Sequence, residues 1–164
     1  MSGGRGTAGS RWPLRILVAE DDPDLALVYG RYLQSSGRTI SVARDGRAAL
    51  EAVTAFSPDL LILDLMLPLL SGVEVLERIR AGESTRSLPV VMFSNAEPAP
   101  QTARRLGELG IEASILKVSM TPSELAGWLE RWRRGEGTPV RRRSSQQGEV
   151  QPEERGADRP PGAA

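Results

Sequence analysis

Short aliphatic and β-branched runs alternate with stretches of helical periodicity along this chain, and four of the runs end on residues that handle charge. Leu14-Arg15-Ile16-Leu17-Val18-Ala19 leads into Glu20-Asp21-Asp22, Leu60-Leu61-Ile62-Leu63 into Asp64, Val90-Val91-Met92-Phe93 into Ser94, and Ser114-Ile115-Leu116 into Lys117. Strands that alternate with helices build parallel sheets with right-handed crossovers, and open parallel sheets bind ligands beyond the carboxyl ends of their strands. The four endings therefore converge on one pocket holding carboxylates, a hydroxyl and an ammonium. That inventory suits a phosphoryl group or a metal ion.

The segments between the runs carry their own start and stop signals. Asp22-Pro23 supplies a capping residue followed by proline at the first helical position, and Leu25, Val28, Tyr29, Tyr32 and Leu33 repeat at helical spacing as far as Gly37. A β-branched run, Thr39 to Val42, predicts a further strand. Asp45-Gly46 opens a helix with Leu50, Val53 and Phe56, and Ser71 with Glu74 forms a capping-box pattern ahead of Leu76 and Ile79. A weaker helix is expected around Gln101 to Leu109. Thr121-Pro122-Ser123-Glu124 caps a last helix whose Leu125, Trp128, Leu129 and Trp132 lie on one face. Five strands and five helices in strict alternation predict a doubly wound α/β domain.

Composition narrows the chemistry. The chain has neither Cys nor His, which excludes disulfides, thiol nucleophiles, thiolate metal sites and imidazole as base, ligand or phosphoryl carrier. Lys and Arg balance Asp and Glu at 21 each, so net charge gives no argument for nucleic acid or a membrane surface. Leu65 to Leu70, interrupted by Pro68, falls far short of a bilayer span, and the Gly- and Arg-rich start lacks the apolar centre of a signal peptide. A cytoplasmic location is the resulting expectation. Residues 1–12 read as a flexible leader and 135–164, with no Leu, Ile, Met or aromatic residue, as a disordered tail, leaving a domain at 13–134.

An Asp after a strand is ordinarily a helix cap, and Asp22 ahead of Pro23 reads that way. Glu20 and Asp21 are different. Two neighbouring carboxylates at a strand end repel unless a cation neutralises them, and a hard oxygen set of this kind suits Mg²⁺. Asp64 leaves a run of four aliphatics and needs a partner, for which Lys117 is the natural choice. A structural Asp–Lys ion pair is the plain alternative. Carboxylates also act as phosphoryl nucleophiles, with a cation and an ammonium to stabilise the charge on the transferring group.

The pieces ILVAEDDPDLALVYGRYL, DLLILDLMLPLLSGVEVLERIR, LPVVMFSNA and SILK, in this order and spacing, resemble the receiver domain of two-component response regulators over about residues 14 to 134. The resemblance implies a CheY-like, flavodoxin-like (βα)5 fold with strand order 2-1-3-4-5. It implies that Asp64 is the phosphoacceptor, and that Glu20, Asp21, Asp64 and the main-chain carbonyl of Met66 hold Mg²⁺ or Mn²⁺. Ser94 then stands at the switch hydroxyl position and Lys117 at that of the lysine that contacts the phosphoryl group. Pro68 and Gly72 fall on the loop after the phosphorylated strand.

Two positions depart from the family pattern. An aromatic usually stands three residues before the lysine and a proline just after it, and here these are Ser114 and Val118. The reading is a single-domain, non-enzymatic response regulator with a histidine kinase or histidine phosphotransfer protein in trans and a protein target downstream. Neither nucleic acid nor membrane is expected as a partner; homodimerisation stays open. A receiver-like adaptor that binds partners with little dependence on phosphorylation is the alternative. An aspartyl-nucleophile phosphatase is disfavoured, because Met66 stands where such enzymes resemble an Asp-x-Asp motif. Met66 and Ala96, two residues after Asp64 and Ser94, offer no side chain to hold a hydrolytic water, so a long-lived acyl phosphate is expected.

Overall fold

The computed structural model describes residues 13–136, so the expected leader at 1–12 and nearly all of the expected tail lie outside the described residues. Strands and helices alternate without exception: β1 (Arg15–Ala19), α1 (Pro23–Ser35), β2 (Thr39–Ala43), α2 (Gly46–Phe56), β3 (Leu60–Leu63), α3 (Gly72–Ala81), β4 (Val90–Ser94), α4 (Pro100–Glu108), β5 (Ala113–Leu116) and α5 (Pro122–Arg133). A 3-10 turn, Lys117–Ser119, joins β5 to α5. All pairings are parallel and the strand order is 2-1-3-4-5, as the sequence led us to expect.

The side-chain period of two divides the central strands between two apolar layers. Ile16, Val18, Leu60, Ile62, Val91 and Phe93 face α1 and α5, where Tyr29, Leu33, Leu125, Trp128 and Leu129 meet them. Leu17, Ala19, Leu61, Leu63, Val90 and Met92 face α2, α3 and α4, against Val53, Val75, Leu76, Ile79 and Leu106. Both faces are covered, which is why these strands read as unbroken apolar runs. Each fully buried Leu or Ile is worth about 1.5–3 kcal/mol relative to its exposed state.

The caps form as expected. Asp22 accepts from the amides of Asp24 and Leu25, Asp45 from that of Ala48, and Ser71–Glu74 and Thr121–Glu124 are reciprocal capping boxes. Ala99 caps α4 without any side-chain bond, which is the physical reason that this helix gives the faintest signal. Strand ends differ by a residue from the sequence reading: Ala43, Ser94 and Ala113 join β2, β4 and β5, and Leu14 precedes β1. At the far end, Gly135 in the left-handed region (φ 73) donates to Trp132 and Glu136 donates to Arg131. This Schellman turn carries the helix cap two residues past the expected boundary at 134.

Candidate functional site

Strand order reverses between β1 and β3, and the register sets Ala19 beside Leu63, so Glu20 and Asp64 leave the sheet level with each other. Pairing continues past both strand ends. The Glu20 amide donates to Ala43 at 2.9 Å and the Asp64 amide to Ala19 at 3.0 Å. Both side chains are buried, while Asp21 is exposed. The Asp22 side chain caps α1, the bland role read for it.

One ammonium serves both buried carboxylates. Lys117 Nζ lies 2.6 Å from Asp64 Oδ2 and 2.5 Å from Glu20 Oε2, and it sits over the Phe93 ring at 5.9 Å from the centroid. The remaining oxygens are also engaged: Asp64 Oδ1 accepts from the Met66 amide at 3.0 Å, and Glu20 Oε1 from the Asp22 amide at 3.1 Å. Burial pushes the Glu20 carboxyl above the ordinary range; the bonds from Lys117 and the Asp22 amide offset this in part. Burial alone would lower Lys117, but hydrogen bonds and charge from Asp64 and Glu20 outweigh it and hold the ammonium above the usual lysine range. Lys117 is thus charged throughout the physiological range.

With Asp21, three carboxylates face one ammonium, leaving a local charge of −2 in the fully ionised state. Glu20, Asp21 and Asp64 each offer a carboxylate oxygen, and these atoms lie within 4.8 Å of one another. All-oxygen donors at that spacing fit a hard divalent cation such as Mg²⁺. Ser94 ends β4 opposite Leu116, the residue before Lys117, and its buried hydroxyl donates to the Ala96 carbonyl. The segments that follow Asp64 and Lys117 carry exposed apolar side chains, Met66, Leu69 and Val118. Ser114, where the family usually has a ring, is exposed on the edge strand β5.

The loop from Asp64 to Gly72 is clamped by main-chain bonds, Gly46 N–H to Pro68 and Gly72 N–H to Leu65. An added Cβ at Gly72 would come within 2.3 Å of the Asp64 carbonyl, so α3 begins hard against the site. The sequence reading missed that Lys117 grips Glu20 as well as Asp64. A signal was there: Lys117 is the single lysine of the chain, against twenty arginines. A compact ammonium with freely rotating donors can sit between two carboxylates in a confined pocket, where a planar guanidinium fork needs more room.

Comparison with known proteins decides the family. The response regulator receiver domain profile matches residues 16–129. The chain belongs to the receiver domain family. Among similar proteins, "DNA-binding response regulator MtrA" of Mycolicibacterium smegmatis is 36% identical over 127 residues, covering 77% of this chain and 54% of that protein. "Regulator of RpoS" of Escherichia coli is 36% identical over 104 residues, 63% of this chain and 30% of the relative. The chain thus spans about half or less of the length of these relatives. A receiver protein of Methanoculleus marisnigri, solved as its N-terminal domain, superposes with TM-score 0.59 at 34% identity over 78% of this chain and 98% of that one. Vibrio cholerae CheY4 shares the fold, with TM-score 0.65 at 24% identity over 72% and 97% of the two chains. Aspartate phosphorylation and Mg²⁺ binding are typical of receivers, which are generally not enzymes. Among the described residues, no helix is long and apolar enough to cross a membrane.

Proposed function

We propose that this receiver accepts a phosphoryl group on Asp64, from a histidine kinase or histidine phosphotransfer protein, and signals by a change in its protein-binding surface. The observation that carries the reading is the convergence, at the switch point of the sheet, of a buried Asp64 with Lys117, Glu20 and Asp21. In the transfer, an Asp64 carboxylate oxygen forms the new bond to phosphorus. The P–N bond of a phosphoimidazole breaks, its electron pair goes to the leaving nitrogen, and that nitrogen takes up a proton. Lys117 stands within reach of Asp64 to balance the added phosphoryl charge, and the Met66 amide holds the carboxylate in orientation.

Glu20, Asp21, Asp64 and the main-chain carbonyl of Met66 are the proposed holders of Mg²⁺ or Mn²⁺, which when bound supplies charge neutralisation for the incoming dianion. Ser94 is proposed as the phosphate-facing hydroxyl; its bond to Ala96 must then be exchanged. The DNA binding in MtrA's name belongs to that protein. For this chain the balanced charge gives no argument for nucleic acid, and a protein target is proposed. The adaptor reading is favoured by one observation, the exposed Ser114 in place of a ring that could report on Ser94.

Incubation with acetyl phosphate and Mg²⁺, read by intact mass, tests the proposal. One phosphoryl group should add to the wild type and none to Asp64→Ala or in excess chelator. Equal labelling of Asp64→Ala sinks it. Met66 is exposed and Ala96 carries only a methyl group, so the label should be long-lived and decay faster in Met66→Asn and Ala96→Glu.

A further inference from the structure

The turn that presents Lys117 is weakly held by its own atoms. Met120 N–H donates to the Lys117 carbonyl over a long 3.4 Å, and the Ser119 hydroxyl donates to the Leu116 carbonyl at 2.9 Å. Val118, at 82% exposure, contributes little packing. β5 is an edge strand that pairs with β4 alone. Partly buried Met120 packs against the core on the α1 and α5 side of the sheet, so the turn leans on the fold around it.

A residue from the opposite end of the sequence supplies the brace. Tyr29, buried on α1, donates its hydroxyl to the Met120 carbonyl at 2.5 Å, three residues beyond Lys117. Its ring stands edge-on against Phe93 at 5.0 Å and 78°, and Phe93 is the ring over which the Lys117 ammonium lies. The two aromatics therefore back the lysine while the hydroxyl pins the turn that carries it. Burial raises the Tyr29 phenol, so the donor stays protonated. We propose that Tyr29 is the positioning residue for Lys117, fixing the β5–α5 turn through the Met120 carbonyl. It acts through Lys117, and its one hydroxyl proton goes to the Met120 carbonyl and not to the acidic cluster.

The single lysine makes the idea directly measurable, since ¹³Cε/¹⁵Nζ-lysine labelling of the full chain gives one side-chain signal. Tyr29→Phe keeps the ring and deletes the hydroxyl. The lysine signal should move toward that of a free side chain, and acetyl phosphate labelling of Asp64 should slow by about tenfold, because small misplacements of a charge-stabilising group are costly. Mg²⁺ affinity, set by the carboxylates, should hold or rise. Met120→Ala, which leaves the carbonyl in place, should keep the wild-type lysine signal. A Tyr29→Phe protein that melts lower but retains the wild-type lysine signal overturns the proposal and leaves Tyr29 an ordinary core residue. The labelling arm rests on the phosphoacceptor reading; if the wild type takes no label, that reading fails while the lysine signal still decides the role of Tyr29.

Discussion

Lys117 offers three N–H donors, and two of them are committed to carboxylates on different strands. Sharing one ammonium leaves each carboxylate under-compensated. Glu20 shows it, since burial keeps its carboxyl raised in spite of the ion pair. An acid whose pKa is raised by folding holds its proton more tightly in the native state. Its contribution is therefore fully present below the ordinary glutamate range and is lost as pH climbs through the raised value. Glu20→Gln removes that loss. In chelator, the variant should gain melting temperature on the wild type at pH 7, and the gap should narrow as pH is lowered toward 5. A gap that widens on acidification would show that the Lys117 bond, not burial, governs Glu20. That these residues meet was legible from strand endings, because residues just past the carboxyl ends of neighbouring parallel strands share one edge of the sheet. The Glu20–Lys117 contact was not, since it depends on how far side chains reach across the ends of β3 and β4 between two strands remote in sequence.

At the scale of elements, legibility followed burial and local bonding. The run Leu60 to Leu63 declared itself because both of its faces are covered, and α3 and α5 because capping boxes mark their starts. The 3-10 turn at Lys117–Ser119 could not be read, because what steadies it is a tyrosine hydroxyl on α1. Close approach at Gly72 was equally silent in the sequence. There a Cβ would stand 2.3 Å from the Asp64 carbonyl and 2.9 Å from the Leu65 Cα, backbone atoms that cannot swing aside. Overpacking of that kind costs about 1–3 kcal/mol, and the gain in helix propensity of about 1 kcal/mol offsets only part of it. Gly72→Ala should therefore lower stability to denaturant. Gly107→Ala on α4, with nothing within 4 Å of the added methyl, should raise it by up to about 1 kcal/mol. If both variants shift the denaturation midpoint upward, the junction between Asp64 and α3 is looser than the contact distances require.

For the molecule as a whole, alternation of strand and helix was enough to give the layers, and the family resemblance gave the strand order; both are observed. What whole-chain properties add is a link between the acidic cluster and global stability. A cation that binds only the native state stabilises it by RT ln(1 + [L]/Kd), about 2.7 kcal/mol at a hundredfold excess over Kd. The three clustered carboxylates should make the full chain respond in this way, its melting temperature climbing with Mg²⁺ at neutral pH. Asp21→Asn should act in both directions at once. Without metal it reduces the local negative charge from −2 to −1 and stabilises the fold slightly, by less than about 1 kcal/mol for so exposed a group, with a small rise in melting temperature. With metal it loses a ligand and the response weakens. Both effects arise inside residues 13–136, whose last turn is closed by Gly135 and Glu136 on Trp132 and Arg131. A chain ending after Glu136 should consequently keep the metal-free melting temperature and the Mg²⁺ response of the full protein. Loss of several kcal/mol on that truncation would mean that residues beyond 136 dock on the domain, and a melting curve flat up to tens of millimolar Mg²⁺ would mean that the acidic cluster does not hold the ion.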